Sequence, residues 1–298
     1  MSQGFCSFTG KNHIVLYLIL TILLSTIIII TFKVMGIYKI NTLQTITFNY
    51  LFAAITGYFM MGNGITLSGL MEKDWFNYTF FTGAMFILTF FLFAQSSQKA
   101  GVSITAVSSK MSVILPVAAG FIWFHDALTL YKVLGIVLGL ASFYFIFNTG
   151  QKMRFNYHYT LLPLLLLIGN GINDTVVKFV QFNFLNGDEN IFIEVVFIIA
   201  FLIGGFYLAI LMILGKESLH LKSVLSGFFL GAVNFFGAWF FLKSMVIYEA
   251  SFLFPVVNVS IVVLSSLVGL VIFKENLRRI NVVGIIMAAV AILLISIG

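Results

Sequence analysis

The chain has 298 residues, of which 61% are hydrophobic and only 9% are charged. A soluble domain averages about 45–50% apolar and about 25% charged residues, so this composition excludes a water-soluble fold and makes lipid the solvent. The 16 Lys+Arg outnumber the 10 Asp+Glu, yet they sit singly in short links between apolar runs, a pattern that sets membrane orientation and offers no nucleic-acid patch.

A helix that crosses a bilayer needs about 20 residues at about 1.5 Å rise each. Charges close the apolar runs, and ten spans follow in chain order: 14–32, 43–61, 76–97, 102–124, 128–148, 159–181, 191–214, 223–242, 250–273 and 280–297. The first run is long enough to span, and no small-residue cleavage signal follows it, so it reads as a retained helix. The single cysteine, Cys6, excludes an internal disulfide and a multi-cysteine metal site. The longest link runs only from Gly62 to Trp75, so the activity is expected inside the bilayer. The expected fold is an all-α membrane protein with ten transmembrane helices.

An internal repeat divides these spans. Phe124-His125-Asp126-Ala127-Leu128 with Gly135 matches Phe273-Lys274-Glu275-Asn276-Leu277 with Gly284, at a constant separation of 149 residues. His13 and Lys33 match His158 and Lys178 at a separation of 145. Five spans per half is an odd number, so the halves insert in opposite directions. The expected organisation is a tail (1–13), a first five-helix repeat (14–149), a connecting loop (150–158) and a second five-helix repeat (159–298). Inverted repeats commonly place a solute site at their interface near the midplane.

These junctions resemble the drug/metabolite transporter superfamily in its ten-helix EamA-type branch. The resemblance rests on Asp126/Leu128/Gly135 and Glu275/Leu277/Gly284, on Glu249-Ala250-Ser251 with Pro255, and on Gly101-Val102-Ser103 with Pro116. It implies a carrier of small organic solutes, often an exporter of amino acids or related metabolites, in a bacterial inner (plasma) membrane. It also implies that both termini lie inside the cell.

Lys110 is the leading candidate for chemistry. It stands mid-span within Ser108-Ser109-Lys110-Met111-Ser112, where a cation costs about 2.5–3.5 kcal/mol on insertion scales. It reads as the counter-charge for an anionic solute group, with Ser109 beside it, or as a lysine that pairs with a buried carboxylate. Asp174 and Lys178 lie four apart and share a helix face. They read as a coupling-ion or proton site, or as a local ion pair. Asn170 lies one turn away on the same polar face. Asn234 and Asn258 serve either solute contact or helix packing. Glu194 and Glu249 lie near span ends, with Lys243 a partner for Glu249. Asp126 and Glu275 are expected to cap the helix that follows each. Gly135 with Gly139, and Gly284 with Ala288, are small-residue pairs for close helix packing or a dimer surface. Trp123 and Trp239 are candidates for an aromatic pocket wall.

The expected function is a secondary transporter of a small organic metabolite, anionic or zwitterionic, working by alternating access as a monomer or homodimer, with no cofactor and no metal. A channel or a membrane receptor is the alternative. A membrane-embedded enzyme is disfavoured: no His-Glu-x-x-His string occurs, and His13, His125, His158 and His220 are scattered. The basic residues conflict with the resemblance over orientation. Lys33, Lys39, Lys99, Lys152, Arg154, Lys216, Lys222, Lys274, Arg278 and Arg279 fall on one side, and Lys11, Lys73, Lys132 and Lys243 on the other. Positive-inside logic puts both termini outside the cytoplasm.

Overall fold

The structure, a computed structural model, describes residues 6–61, 67–123, 129–147, 157–185, 187–247 and 250–297. All regular structure among them is helical: α1 (Cys6–Ile37), α2 (Thr42–Met61), α3 (Leu67–Met71), α4 (Phe76–Lys99), α5 (Val102–Met111), α6 (Ile114–Trp123), α7 (Leu130–Phe147), α8 (Tyr157–Val180), α9 (Glu189–Ile213), α10 (Leu221–Ile247), α11 (Ala250–Val271) and α12 (Arg279–Ile297). A π-helical turn, Gln181–Leu185, continues α8. Parts of α1, α4, α8, α9 and α10 are individually long and apolar enough to cross a membrane, and shorter apolar helices accompany them. The chain is an all-α membrane protein in which α5 and α6 together form the fourth crossing.

Two differences from the expected spans matter. The short α3 occupies the longest link. The fourth span is not one helix: it breaks at Ser112–Val113. Pro116 is the cause. A proline has no N–H, and its ring collides with the carbonyl four residues earlier, which here belongs to Ser112. Leu115 N–H turns instead to the Ser112 carbonyl at 3.0 Å, a tight bond that closes the break.

Much of the packing, though not the α1–α4 or α11–α12 contact, follows an exchange between halves, α1 with α8, α2 with α9, α4 with α10, α5–α6 with α11, and α7 with α12. Thus α1 packs on α10 as α8 packs on α4, α2 on α10 as α9 on α4, and α1 on α11 as α8 on α5 and α6. The self-paired contacts, α2–α9, α5–α11 and α7–α12, lie along the exchange axis. The α7–α12 seam uses the expected glycines: a Cβ on Gly135 would lie 2.9 Å from the Ala291 carbonyl oxygen, and one on Gly284 would lie 2.8 Å from Ile146 N. These residues pack within the chain. The α2–α10 seam is equally close, because a Cβ on Gly231 would stand 2.6 Å from the Asn49 carbonyl oxygen. The obstacle is backbone and cannot rotate away. Gly231→Leu is therefore expected to lower stability by about 3 kcal/mol, read as a depressed melting temperature in detergent.

Both ends of the α2–α9 edge are fastened. At the face where α1 begins and α12 ends, the terminal face, Lys73 Nζ meets Asp188 Oδ2 at 2.7 Å and Trp75 Nε1 donates to the same oxygen at 3.1 Å. Trp75 is buried, edge-on to Phe192 at 5.8 Å. At the opposite, far face Asn41 Nδ2 donates to Glu217 Oε2 at 2.8 Å and Gln44 Nε2 to the Ser218 carbonyl at 2.7 Å. The two fasteners join exchange-related links. Trp75→Ala is expected to cost about 3–5 kcal/mol through the void it leaves. The bond from Lys73, and then that from Trp75, hold the Asp188 carboxyl below the usual carboxylate range. A carboxyl depressed in the folded state contributes stability above its unfolded pKa, and this contribution is lost as pH falls through the folded value. Acid melting curves of Asp188→Asn are therefore expected to lack that component of the wild-type loss.

Candidate functional site

The helix break brings polar groups from the two halves together at mid-membrane depth. Lys110 lies in the last turn of α5, and Ser112 occupies the break itself. Ser112 Oγ donates to the Ser109 carbonyl at 2.7 Å and to Asp174 Oδ2 of α8 at 3.3 Å. Asn170 Nδ2, one turn along α8, donates to Ser109 Oγ at 3.0 Å. The Asp174 carboxylate also lies in the field of the Lys110 ammonium. Close approach of the helices depends on Gly171, whose Cβ would lie 2.7 Å from Leu115 Cβ. Beside the cluster, Ser108 Oγ and Asn173 Oδ1 are buried with no hydrogen-bond partner among the described residues.

Helix α8 shows two distinct open faces. Leu164, Leu165, Ile168 and Ile172 are exposed and apolar, as a lipid-facing stripe must be. Asn170, Asp174, Lys178 and Gln181 form the second stripe, about 140° away at about 100° per residue. Its exposure increases from half-buried Asn170 to open Asp174, Lys178 and Gln181, that is, towards the terminal face. Charged groups on a face distinct from the lipid stripe line a wet space between helices. The π turn lies directly beyond it.

Towards the far face the same space is shut. Ser96, Ser97, Gly101, Ser103 and Thr105 are all buried. Glu275, which follows α11, reaches across to the start of α5. Its Oε1 accepts from Val102 N–H at 2.5 Å, and its Oε2 accepts from Ser103 N–H at 3.2 Å and from Ser103 Oγ at 2.9 Å. Lys33 Nζ stands 3.9 Å from the same carboxylate. Gly101, at φ +105°, is needed here: a Cβ would lie 2.6 Å from Glu275 Oε1. This corrects one expectation. Glu275 caps the fourth span of the other half, not α12, whose start is held by Asn281 Oδ1 accepting from Arg278 N–H at 2.9 Å. Asp126 and Leu128 lie outside the described residues, as does Glu249.

The remaining candidates fall elsewhere. Asn234 Nδ2 approaches Asn49 Oδ1 of α2 at 3.4 Å, so it belongs to the α2–α10 seam. Asn49 was legible as a second mid-span amide, but nothing in the sequence paired the two. Asn258 is half-buried on α11, with no hydrogen bond to the Ser109–Asp174 cluster. Lys178 stands one turn nearer the open end than Asp174. Glu194 packs near Gly57 of α2, with its Cγ 3.6 Å from where a Cβ of that glycine would be. Lys243 lies over the Trp239 ring, 5.4 Å from its centre. The Trp123 side chain is outside the described residues. Ser112 was visible in the sequence only as a neighbour of Lys110; the signal that would have found it is Pro116, four residues on.

The fold and the shared polar cluster define a multi-pass membrane protein of two exchange-related helical halves. The family model of EamA-like transporters matches residues 163–297, most of the second half of the chain. That family consists of membrane transporters of small solutes, not of enzymes. A Haemophilus influenzae (strain ATCC 51907 / DSM 11121 / KW20 / Rd) protein, described as uncharacterized, is 25% identical over 92% of this chain and 95% of its own length. A solved crystal structure matches with a TM-score of 0.59 over 95% of this chain and 97% of its own, at 14% identity, which speaks to the fold alone.

Proposed function

We propose that this protein is a secondary transporter that moves a small zwitterionic or anionic organic metabolite by alternating access across a bacterial plasma membrane. The observation that carries this reading is the pair of hydrogen bonds that joins the break beside Lys110 to Asp174 and Asn170 of the other half, beside a polar stripe that opens to one face. An ammonium and a carboxylate that flank one space without closing into an ion pair suit a solute bearing both charges, such as an amino acid, with its carboxylate towards Lys110 and its ammonium towards Asp174. The broken helix supports the same reading, since irregular backbone within a membrane is tolerated where it lines a cavity.

Among the described residues the polar stripe of α8 is exposed towards the terminal face, and the Glu275 clamp closes the far face. The α2–α9 edge, fastened at both faces, would serve as the axle about which the halves rock. Counterflow separates this reading from a channel: protein in liposomes preloaded with unlabelled amino acid should accumulate labelled amino acid transiently and saturably. Flux linear in concentration without counterflow favours the channel.

The described links favour a cytoplasmic far face. Lys39, Lys99, Lys216, Lys222, Lys274, Arg278 and Arg279 gather there, against Lys73, Lys132 and Lys243 at the terminal face. We infer that the termini lie outside the cytoplasm, against the implication of the resemblance. An alkaline phosphatase fused to the C-terminus should then be active, and a fused green fluorescent protein dark.

A further inference from the structure

The molecule carries a second feature, remote from the central cluster and independent of the transport reading. A groove of about 510 Å³ runs between α1 and α10, lined by Ile27, Ile30, Val34 and Met35 on one wall and by Leu225 and Phe229 on the other. Leu225 and Phe229 are themselves largely exposed, so the groove faces the lipid. From residue 27 to residue 35 it runs about 12 Å along α1, close to the depth of one leaflet.

Its mouth is at the far face and is cationic. Lys222 lies four and seven residues before the groove residues Ser226 and Phe229, which places it on their helical stripe, one turn further out. Lys39 precedes the groove residue Ile40 in the turn after α1. Both lysines are exposed, and neither has a carboxylate within salt-bridge distance among the described residues. Tyr38, also exposed, stands beside them at headgroup level.

We propose that this groove is a binding site for an anionic phospholipid, with one acyl chain between α1 and α10 and its phosphate against Lys39 and Lys222. The apolar walls take the chain, and the two ammonium groups select the charged headgroup.

The test is native mass spectrometry of the purified full-length protein titrated with phosphatidylglycerol or phosphatidylcholine of identical chains. Wild type should retain phosphatidylglycerol preferentially. Lys39→Gln and Lys222→Gln should each lower that retention about five-fold, and the double variant should lose the preference. Ser226→Trp, which fills the groove, should reduce retention of both lipids. A control pair on the same face but away from the groove, Lys274→Gln with Arg279→Gln, should leave the preference in place. The proposal is overturned if wild type shows no preference, if the control pair removes it equally, or if Ser226→Trp binds both lipids normally. The two lysines are exposed, so their replacement tests the headgroup contact even where the tryptophan variant does not assemble.

Discussion

Lys110→Ala should lower transport by about 100-fold or more, and Asp174→Asn should do the same. Once the site is occupied and shut off from water, truncating one partner of a hydrogen-bonded charge pair with the solute costs about 2–5 kcal/mol. The stability consequence and the transport consequence can be separated. In Lys110→Ala the Asp174 carboxylate keeps its Ser112 bond but loses the opposing ammonium. The double variant Lys110→Ala/Asp174→Asn carries no unpaired charge, so its melting temperature should recover towards wild type. Its transport should not recover, because both groups proposed to hold the solute are gone. Rates per folded protein, checked by size-exclusion chromatography, read the difference. Normal rate and affinity in both single variants would show that the solute is held elsewhere.

Glu275→Ala should lower stability by about 3–5 kcal/mol. It strips a carboxylate from two backbone N–H groups and one hydroxyl at the start of α5, and bonds to a charged group contribute about 1.5–3 kcal/mol each without adding fully. Lys33 loses its opposing charge as well. Glu275→Gln is the gentler probe of the gate. It keeps the shape, loses the charge and should loosen closure at the far face. Ser97 is buried behind the clamp, with its hydroxyl on the Ile29 carbonyl at 3.1 Å. A cysteine at position 97 should therefore be protected from a membrane-impermeant maleimide with Glu275 present and labelled in Glu275→Gln. A normal melting temperature together with continued protection would remove the clamp from the mechanism.

Lipid makes the architecture readable in the sequence. Every crossing must be an apolar helix, so the charges that end one run and begin the next mark the spans, and the repeat at Asp126 and Glu275 predicts a division into halves. The glycines of α7 and α12 were legible for the same reason, because spacing along one helix is a sequence property. Contacts between helices are not. Asp174 has Lys178 four residues away and invites that pairing, but the structure gives its carboxylate a hydrogen bond from Ser112 on another crossing. Glu275 sits next to α12 in the chain and caps α5 in space. Asn234 shows a polar atom but not its direction, and it turns to Asn49. The break in the fourth span lies between these cases: Pro116 announces it, and only the fold shows that the break opens onto α8.

The central claim is that one face of α8 borders water within the membrane. Single cysteines placed along α8, in protein with Cys6 replaced by serine, test it without knowledge of the solute. Positions 174 and 178 should react with a membrane-impermeant maleimide applied at the terminal face, and positions 168 and 172 should not. Equal reactivity on both stripes, or protection at 174 and 178, would contradict the account.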